Sequence, residues 1–174
     1  DGKPLWKLLS DLSPEEIVGL VDFRYLTDML RPDEALAILK ERASTRSVRE
    51  ADLVEDGLSA YTTAPGWLGY ADDKLVTLCK QAVDHGFEQV KLKVGGDLHN
   101  DIRRLSLARE VLGPNFAIAV DANQRWDVDE AVGWIEKLAP FGLAWVEEPT
   151  CPDDVVGHAE IAKRVSPIRI ATGE

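Results

Sequence analysis

The chain has 174 residues, 45% of them hydrophobic and 29% charged, an ordinary globular balance that excludes a disordered or fibrous chain. Its 20 Lys and Arg stand against 31 Asp and Glu, a net charge of −11, and so acidic a surface repels phosphate backbones and anionic lipid, which argues against nucleic acid and membrane as partners. No apolar run approaches the ~18 residues of a membrane span, and Cys79 and Cys151, with no CxxC pairing, offer neither a disulfide framework nor a zinc site.

The chain opens on Asp1 and its only methionine is Met29, so a processed chain or a piece of a longer one is expected. Residues 16–23 (Glu16-Ile17-Val18-Gly19-Leu20-Val21-Asp22-Phe23) read equally as a strand or, through the capping box of Ser13-Pro14-Glu15-Glu16, as a short helix. Ala35, Leu36, Ile38 and Leu39 predict a helix over 33–43, whereas 44–70 is irregular and Ala64-Pro65-Gly66-Trp67-Leu68-Gly69 reads as a loop. From there the pattern becomes regular. A helix over about 72–85 closes at Gly86, and a strand, Gln89–Val94, follows. Ile102, Leu105, Ala108 and Val111/Leu112 predict a helix over 98–112, stopped by Gly113-Pro114. Phe116–Val120 is the second strand, and Asp127 with Glu130 opens a helix to about 139. Leu143–Val146 is the third strand, Asp153 or Asp154 caps a helix to about 165, and Ile168–Ala171 is the fourth.

Strand and helix alternate in this way in α/β proteins with a buried parallel sheet, which can be doubly wound or a (β/α) barrel. No Gly-x-Gly-x-x-Gly or Walker sequence follows any strand, which argues against a nucleotide binder. Charged and amide residues stand at successive strand ends: Lys91 and Lys93, Asp121 and Asn123, Glu147, and Glu174. Intervals of 26 to 28 residues separate Lys93, Asp121, Glu147 and Glu174, which places them on neighbouring strands at the carboxyl edge, where barrel enzymes keep their active sites. Three carboxylates gathered there need a cation. Oxygen-only ligation by Asp121, Glu147 and Glu174 fits a hard divalent ion, Mg²⁺ first and Mn²⁺ second. Lys91 and Lys93 point to one face of their strand. A neighbouring ammonium and partial desolvation both disfavour a charged lysine, so Lys93 is the candidate base for a carbon-bound proton next to a carboxylate.

Other polar residues read more plainly. Asp127, Asp153 and Asp154 are assigned to helix capping, Glu148 alternates away from Glu147 toward a supporting or surface place, and His85, His99 and His158 are not expected to be catalytic.

Lys91-Leu92-Lys93, Val120-Asp121-Ala122-Asn123-Gln124, Trp145-Val146-Glu147-Glu148-Pro149 and Ala171-Thr172-Gly173-Glu174 resemble the enolase superfamily, in its mandelate-racemase-like branch. Asp22-Phe23-Arg24-Tyr25, Tyr61-Thr62-Thr63, Pro65-Gly66-Trp67-Leu68-Gly69-Tyr70, Gln124-Arg125-Trp126-Asp127-Val128 and Pro152-Asp153-Asp154 narrow the resemblance to the L-fuconate dehydratase group and its mitochondrial relatives. The resemblance implies a (β/α)₇β TIM-like barrel, of which residues 13–174 would supply about the first five strands, ending before closure, with 16–23 as the first strand. Residues 1–12 would be the tail of an N-terminal capping domain. It implies Mg²⁺ held by Asp121, Glu147 and Glu174, Lys93 as the base, and Lys91, Asn123 and Glu174 toward the substrate. The implied reaction is dehydration of L-fuconate to a 2-keto-3-deoxy acid, in a cytoplasmic or mitochondrial enzyme that is a homo-oligomer at full length. The general acid of the family, a His–Asp pair on later strands, is not matched within these residues, so a fragment is expected. Dehydration or racemisation of another sugar acid, or a truncated remnant without catalysis, are the alternatives.

Overall fold

Ser13-Pro14-Glu15-Glu16 carries both halves of a capping box, and the chain uses them. The Glu16 N–H donates to the Ser13 hydroxyl at 3.2 Å, and the Ser13 N–H donates to Glu16 Oε2 at 2.8 Å. With Pro14 already fixed near helical φ, that is enough to start a helix. In the computed structural model, which describes residues 2–173, Pro14–Leu20 is accordingly helix α2 and not the strand expected at 16–23. It follows α1 (Leu5–Asp11) and precedes a 3₁₀ turn at Phe23–Tyr25, α3 (Pro32–Ala43) and α4 (Arg46–Asp56). Helix α4 lies in the stretch expected to be irregular. The chain divides into two compact units between Ser59 and Ala60. The first is helical throughout, and none of its four α-helices contains a fully buried residue.

The second unit is the alternating part. Its elements are a 3₁₀ turn (Ala64–Gly66), α5 (Asp72–Asp84), β1 (Gln89–Lys93), α6 (Leu98–Leu112), β2 (Ala117–Asp121), α7 (Val128–Leu138), β3 (Leu143–Glu147), α8 (Val155–Arg164) and β4 (Ile170–Ala171), with a second 3₁₀ turn at Ala139–Phe141. The four strands form one parallel sheet in the order β1-β2-β3-β4. Such sequential order with a helix between neighbours is the winding of a (β/α) barrel. A fifth segment joins the free side of β1. Thr62 pairs in parallel with Val90, donating its N–H to Gln89 O at 3.2 Å and accepting from Lys91 N–H at 3.0 Å. The partial barrel thus takes its first sheet segment from Thr62.

Period-2 alternation explains how β1 serves both core and site. Val90, Leu92 and Val94 are buried in one apolar core with Leu75 and Cys79 of α5 and Leu105 and Ala108 of α6, whereas Lys91 and Lys93 take the other face. Fully burying a side chain such as Leu92 contributes about 1.5–3 kcal/mol, so a one-residue slip of β1 would lose both the core and the site. Asp127 caps α7 through the Glu130 N–H and Asp154 caps α8 through the Gly157 N–H, while Asp153 makes no cap. Both cysteines are free, Cys79 buried and Cys151 exposed.

Candidate active site

The register of the sheet sets the site. Lys93 pairs with Asp121, Asp121 with Glu147, and Glu147 with Ala171, so the last residues of four strands form one row along the carboxyl edge. Lys91, two residues before Lys93 on the same face, reaches into that row. Its Nζ lies 2.5 Å from Glu147 Oε1 and 3.2 Å from Asp121 Oδ2, and Lys93 Nζ lies 2.6 Å from Asp121 Oδ2. Lys91 is 8% exposed and Asp121 2%, so these ion pairs are formed largely out of water.

Burial works against both charges. At Lys91 the hydrogen bonds to Glu147, Tyr61 and Asp121 outweigh it and hold the ammonium above the ordinary lysine range. At Asp121 the desolvation penalty is again the largest single influence, but hydrogen bonds from Lys93, the Asn123 N–H and Lys91 together keep the carboxyl below its ordinary value. The environment of Lys91 therefore favours its charged form.

Aromatic rings wall the lysines. The Tyr61 ring lies 5.4 Å from Lys91 Nζ and the Trp67 ring 5.8 Å from Lys93 Nζ. Trp145, two residues before Glu147 and so on the same strand face, donates its indole N–H to Glu147 Oε2 at 3.1 Å and meets Tyr61 edge-on. Each oxygen of Glu147 thus has its own partner. At the strand ends Asn123, Gln124 and Glu148 adopt left-handed backbone, with φ of 48°, 64° and 46°. The two turns are laced together by Gln124 N–H to Glu148 O at 2.7 Å and Trp126 N–H to Pro149 O at 3.1 Å. Non-glycine residues held in this region cost about 1–3 kcal/mol each and cluster at functional sites.

Lys91, Lys93, Asp121 and Glu147 are brought together as the sequence predicts. Asn123 stands beside them, its N–H on Asp121 Oδ1 at 2.9 Å, with an exposed side chain 3.5 Å from Glu148 Oε2. Glu174, expected as third ligand and substrate contact, lies outside the described residues. Glu148 is buried rather than at the surface. His158 is buried with Nδ1 on Asp154 O at 2.8 Å, which fits a non-catalytic residue, and His85 and His99 are exposed. Sequence reading did not single out Tyr61, Trp67 or Trp145 as site residues, although the i, i+2 relation of Trp145 to Glu147 was there to be read.

The donor chemistry suits a hard divalent cation. Two carboxylate oxygens on adjacent strands already converge on one cationic nitrogen, that of Lys91, with no sulfur or imidazole among them. Among the described residues no group of three or more His, Cys, Asp or Glu is close enough to hold a metal.

Parallel strands wound in sequence order, with acidic and basic side chains gathered at their carboxyl ends, define a partial α/β barrel with a polar site at its mouth. The enolase C-terminal domain-like family matches residues 74–174, more than half of the chain, and the chain belongs to that family within the enolase superfamily. It is 50% identical to human mitochondrial enolase superfamily member 1 over its whole length, and superposes on the crystal structure of that protein with a TM-score of 0.95 over 99% of this chain. It is 43% identical to L-galactonate dehydratase of Hypocrea jecorina over 99% of its length. The L-talarate/galactarate dehydratase of Salmonella typhimurium LT2, liganded with Mg and L-lyxarohydroxamate, aligns over 67% of this chain and 30% of its own, at a TM-score of 0.64 and 39% identity. The chain spans about 40% of the length of the human relative and 39% of the Hypocrea one.

Proposed function

We propose that this chain supplies the metal-binding and proton-abstracting part of an acid-sugar dehydratase acting on L-fuconate. The observation that carries the reading is the row Lys93–Asp121–Glu147 with Lys91 reaching into it, in which two amines and two carboxylates from adjacent strands meet around the buried Asp121. Relatives named as dehydratases of galactonate and of talarate/galactarate, one of them liganded with Mg, support the substrate class and the ion. Dehydration or racemisation of a neighbouring sugar acid on the same residues is the alternative.

In this reading Asp121 and Glu147, with Glu174, hold Mg²⁺ and Mn²⁺ can replace it. When bound, the ion supplies electrostatic stabilisation of the negative charge that grows on the substrate carboxylate as the α-proton leaves. The Lys91 ammonium binds that carboxylate. Lys93 takes the α-proton on Nζ, and the electron pair of the broken C–H bond forms the new C=C bond. The C–O bond to the β-hydroxyl breaks with its pair on oxygen, which takes a proton from an acid outside these residues and leaves as water. The resulting enol becomes the 2-keto-3-deoxy acid. Asn123 faces the substrate. None of these residues supplies the proton for the leaving hydroxyl. Residues 1–12 are assigned to the tail of a capping domain and residues 13–174 to the N-terminal part of the barrel domain, whose described sheet begins at Thr62. The partner is a small sugar acid, the full-length enzyme is a homo-oligomer, and the compartment is mitochondrial, as the human relative's name has it, or cytoplasmic.

The test uses this sequence within a protein of its relatives' full length. Lys93→Ala should abolish exchange of the substrate α-proton with deuterated solvent and leave Mg²⁺ binding nearly intact, whereas Glu147→Gln should weaken Mg²⁺ in a calorimetric titration. Retained exchange in Lys93→Ala refutes the base, and turnover of other sugar acids in preference to L-fuconate refutes the substrate.

A further inference from the structure

The least expected charge in the second unit is Arg104. It lies on the inward stripe of α6, between Asp101 and the core residues Leu105 and Ala108, and is 1% exposed; Asp101 is 0% exposed. A guanidinium taken out of water at such a place costs several kcal/mol unless its donors are matched, and a leucine there would continue the apolar stripe at no such cost. Arg104 makes no hydrogen bond to Asp101, whose Oδ1 is an ion-pair partner 3.6 Å away. It donates to three main-chain carbonyls: Lys93 O at 2.6 Å, Gly66 O at 2.7 Å and Trp67 O at 3.2 Å. Asp101 reaches the same region from its other oxygen, accepting the Gly95 N–H at 2.7 Å.

These acceptors share one property. They are the end of β1 that carries Lys93 and the turn that carries Trp67. No other described side chain bonds to both. The turn is seated hard against β1, because a Cβ at Gly66 would lie 2.1 Å from Lys91 O. The half-exposed Trp67 ring, 52% accessible, faces Lys93 Nζ at 5.8 Å. The guanidinium's planar fork, with rigidly spaced donors, is suited to fixing two backbone segments at one separation in a way a lysine is not.

We infer that Arg104, oriented by Asp101, is a positioning residue that fixes the gap between the Lys93 amine and the Trp67 ring, and thereby where the substrate's α-carbon can sit. The inference rests on Lys93 being the base. Lys93 delivers the chemistry, Trp67 forms the opposing wall, and the buried pair holds both to one helix. Proton transfer requires donor and acceptor near 3 Å, and misplacement by about 1 Å can cost about 100-fold in rate.

The experiment compares Arg104→Lys and Asp101→Asn with the parent protein at the relatives' full length. It reads α-proton exchange by NMR, kcat and KM separately, calorimetric Mg²⁺ affinity, and acylation of Lys93 by a water-soluble ester followed by mass spectrometry. Arg104→Lys should lower kcat for exchange about 100-fold with KM and Mg²⁺ affinity little changed, and should change the rate of Lys93 acylation. Millimolar guanidinium should restore part of the lost exchange in Arg104→Ala. Variants that melt earlier while keeping parental exchange and parental Lys93 acylation would make the pair purely structural and overturn the proposal. Loss of cooperative melting in both Arg104→Lys and Asp101→Asn does the same. Lys93→Ala separates the two readings: exchange surviving there removes the base, whereas Lys93 acylation that Arg104→Lys leaves unchanged removes the positioning role whatever the base.

Discussion

Glu147 divides its carboxylate between two neighbours, Lys91 at 2.5 Å on one oxygen and the Trp145 indole N–H at 3.1 Å on the other. A hydrogen bond to a charged acceptor contributes about 1.5–3 kcal/mol. More to the point, it opposes rotation of the carboxylate and keeps the other oxygen turned toward the Lys91 ammonium. Partners that orient a metal ligand typically change affinity 10–100-fold when removed. Trp145→Phe deletes the donor but keeps a ring beside Tyr61, so it should weaken Mg²⁺ by about tenfold without an equal loss of thermal stability. Calorimetric titration against the parent protein measures this, and an unchanged affinity would take Trp145 out of the site. The same residue shows what the sequence did and did not disclose. The row of strand-end charges was legible because strands of similar spacing in a parallel sheet end together, so arithmetic alone placed Lys93, Asp121 and Glu147 at one edge. Arg104, which acts by touching the backbone beside those residues, has no such arithmetic, because its partner Gly66 lies 38 positions away, whereas Trp145 is legible only through its i, i+2 relation to Glu147.

Among the elements, the helices and strands after Gly86 followed from period and punctuation, with Leu98–Leu112 matching the predicted bounds. Residues 16–23 did not. Family resemblance drew them as a strand, yet the local capping box won, and the first sheet segment is the short bridge at Thr62, too brief to leave a periodic signal. Helix α4 was invisible for a related reason: its N-cap, Thr45, makes no side-chain cap bond to announce it. Two glycines test how far the elements constrain the site. A Cβ at Gly66 would meet the Lys91 carbonyl oxygen at 2.1 Å and the Leu92 Cα at 2.8 Å, both backbone atoms that cannot rotate aside. Gly66→Ala should therefore destabilise the second unit by about 1–3 kcal/mol, the usual cost of overpacking, and displace the turn that carries Trp67. Gly133, inside α7, has nothing within 4 Å of an added Cβ. Gly133→Ala should stabilise by about 1 kcal/mol through helix propensity alone. Denaturant melts of the two variants should thus move in opposite directions, and parallel shifts would contradict the packing assigned to Gly66.

For the molecule as a whole, the contrast between its two units governs where stability resides. The second unit has one continuous core running from Leu75 to Val165, built on strands with fully buried Val90, Leu92, Ile118, Val120 and Val146. In the first unit the helices have no fully buried residue among those described, and Leu5, Leu20, Val48 and Val54 are largely exposed. Opening free energies follow buried apolar contact, so amide hydrogen exchange should be slowest in β1, β2 and β3 and fast throughout α1 to α4. Equal protection of the two units would refute this.

Acid should affect the first unit through a different term. Asp11 sits between Lys3 and Lys7, each 2.6 Å away, and Lys7 also pairs with Glu50 at 2.5 Å, tying α1 to α4. Hydrogen bonds from Lys3 and Lys7 hold the Asp11 carboxyl down at about 2. A carboxyl depressed on folding gives stability that is fully present above its unfolded pKa near 3.9 and is lost as pH falls through the folded value. The Asp11 pairs should therefore persist at pH 4 and break toward pH 2, a window read directly from the carboxyl ¹³C shift of Asp11. Because all three partners face solvent, salt screens them, and 1 M NaCl should move that midpoint upward toward the ordinary aspartate value. A midpoint near 3.9 already at low salt would show that Lys3 and Lys7 do not hold Asp11, leaving Lys7–Glu50 as the ion pair between α1 and α4.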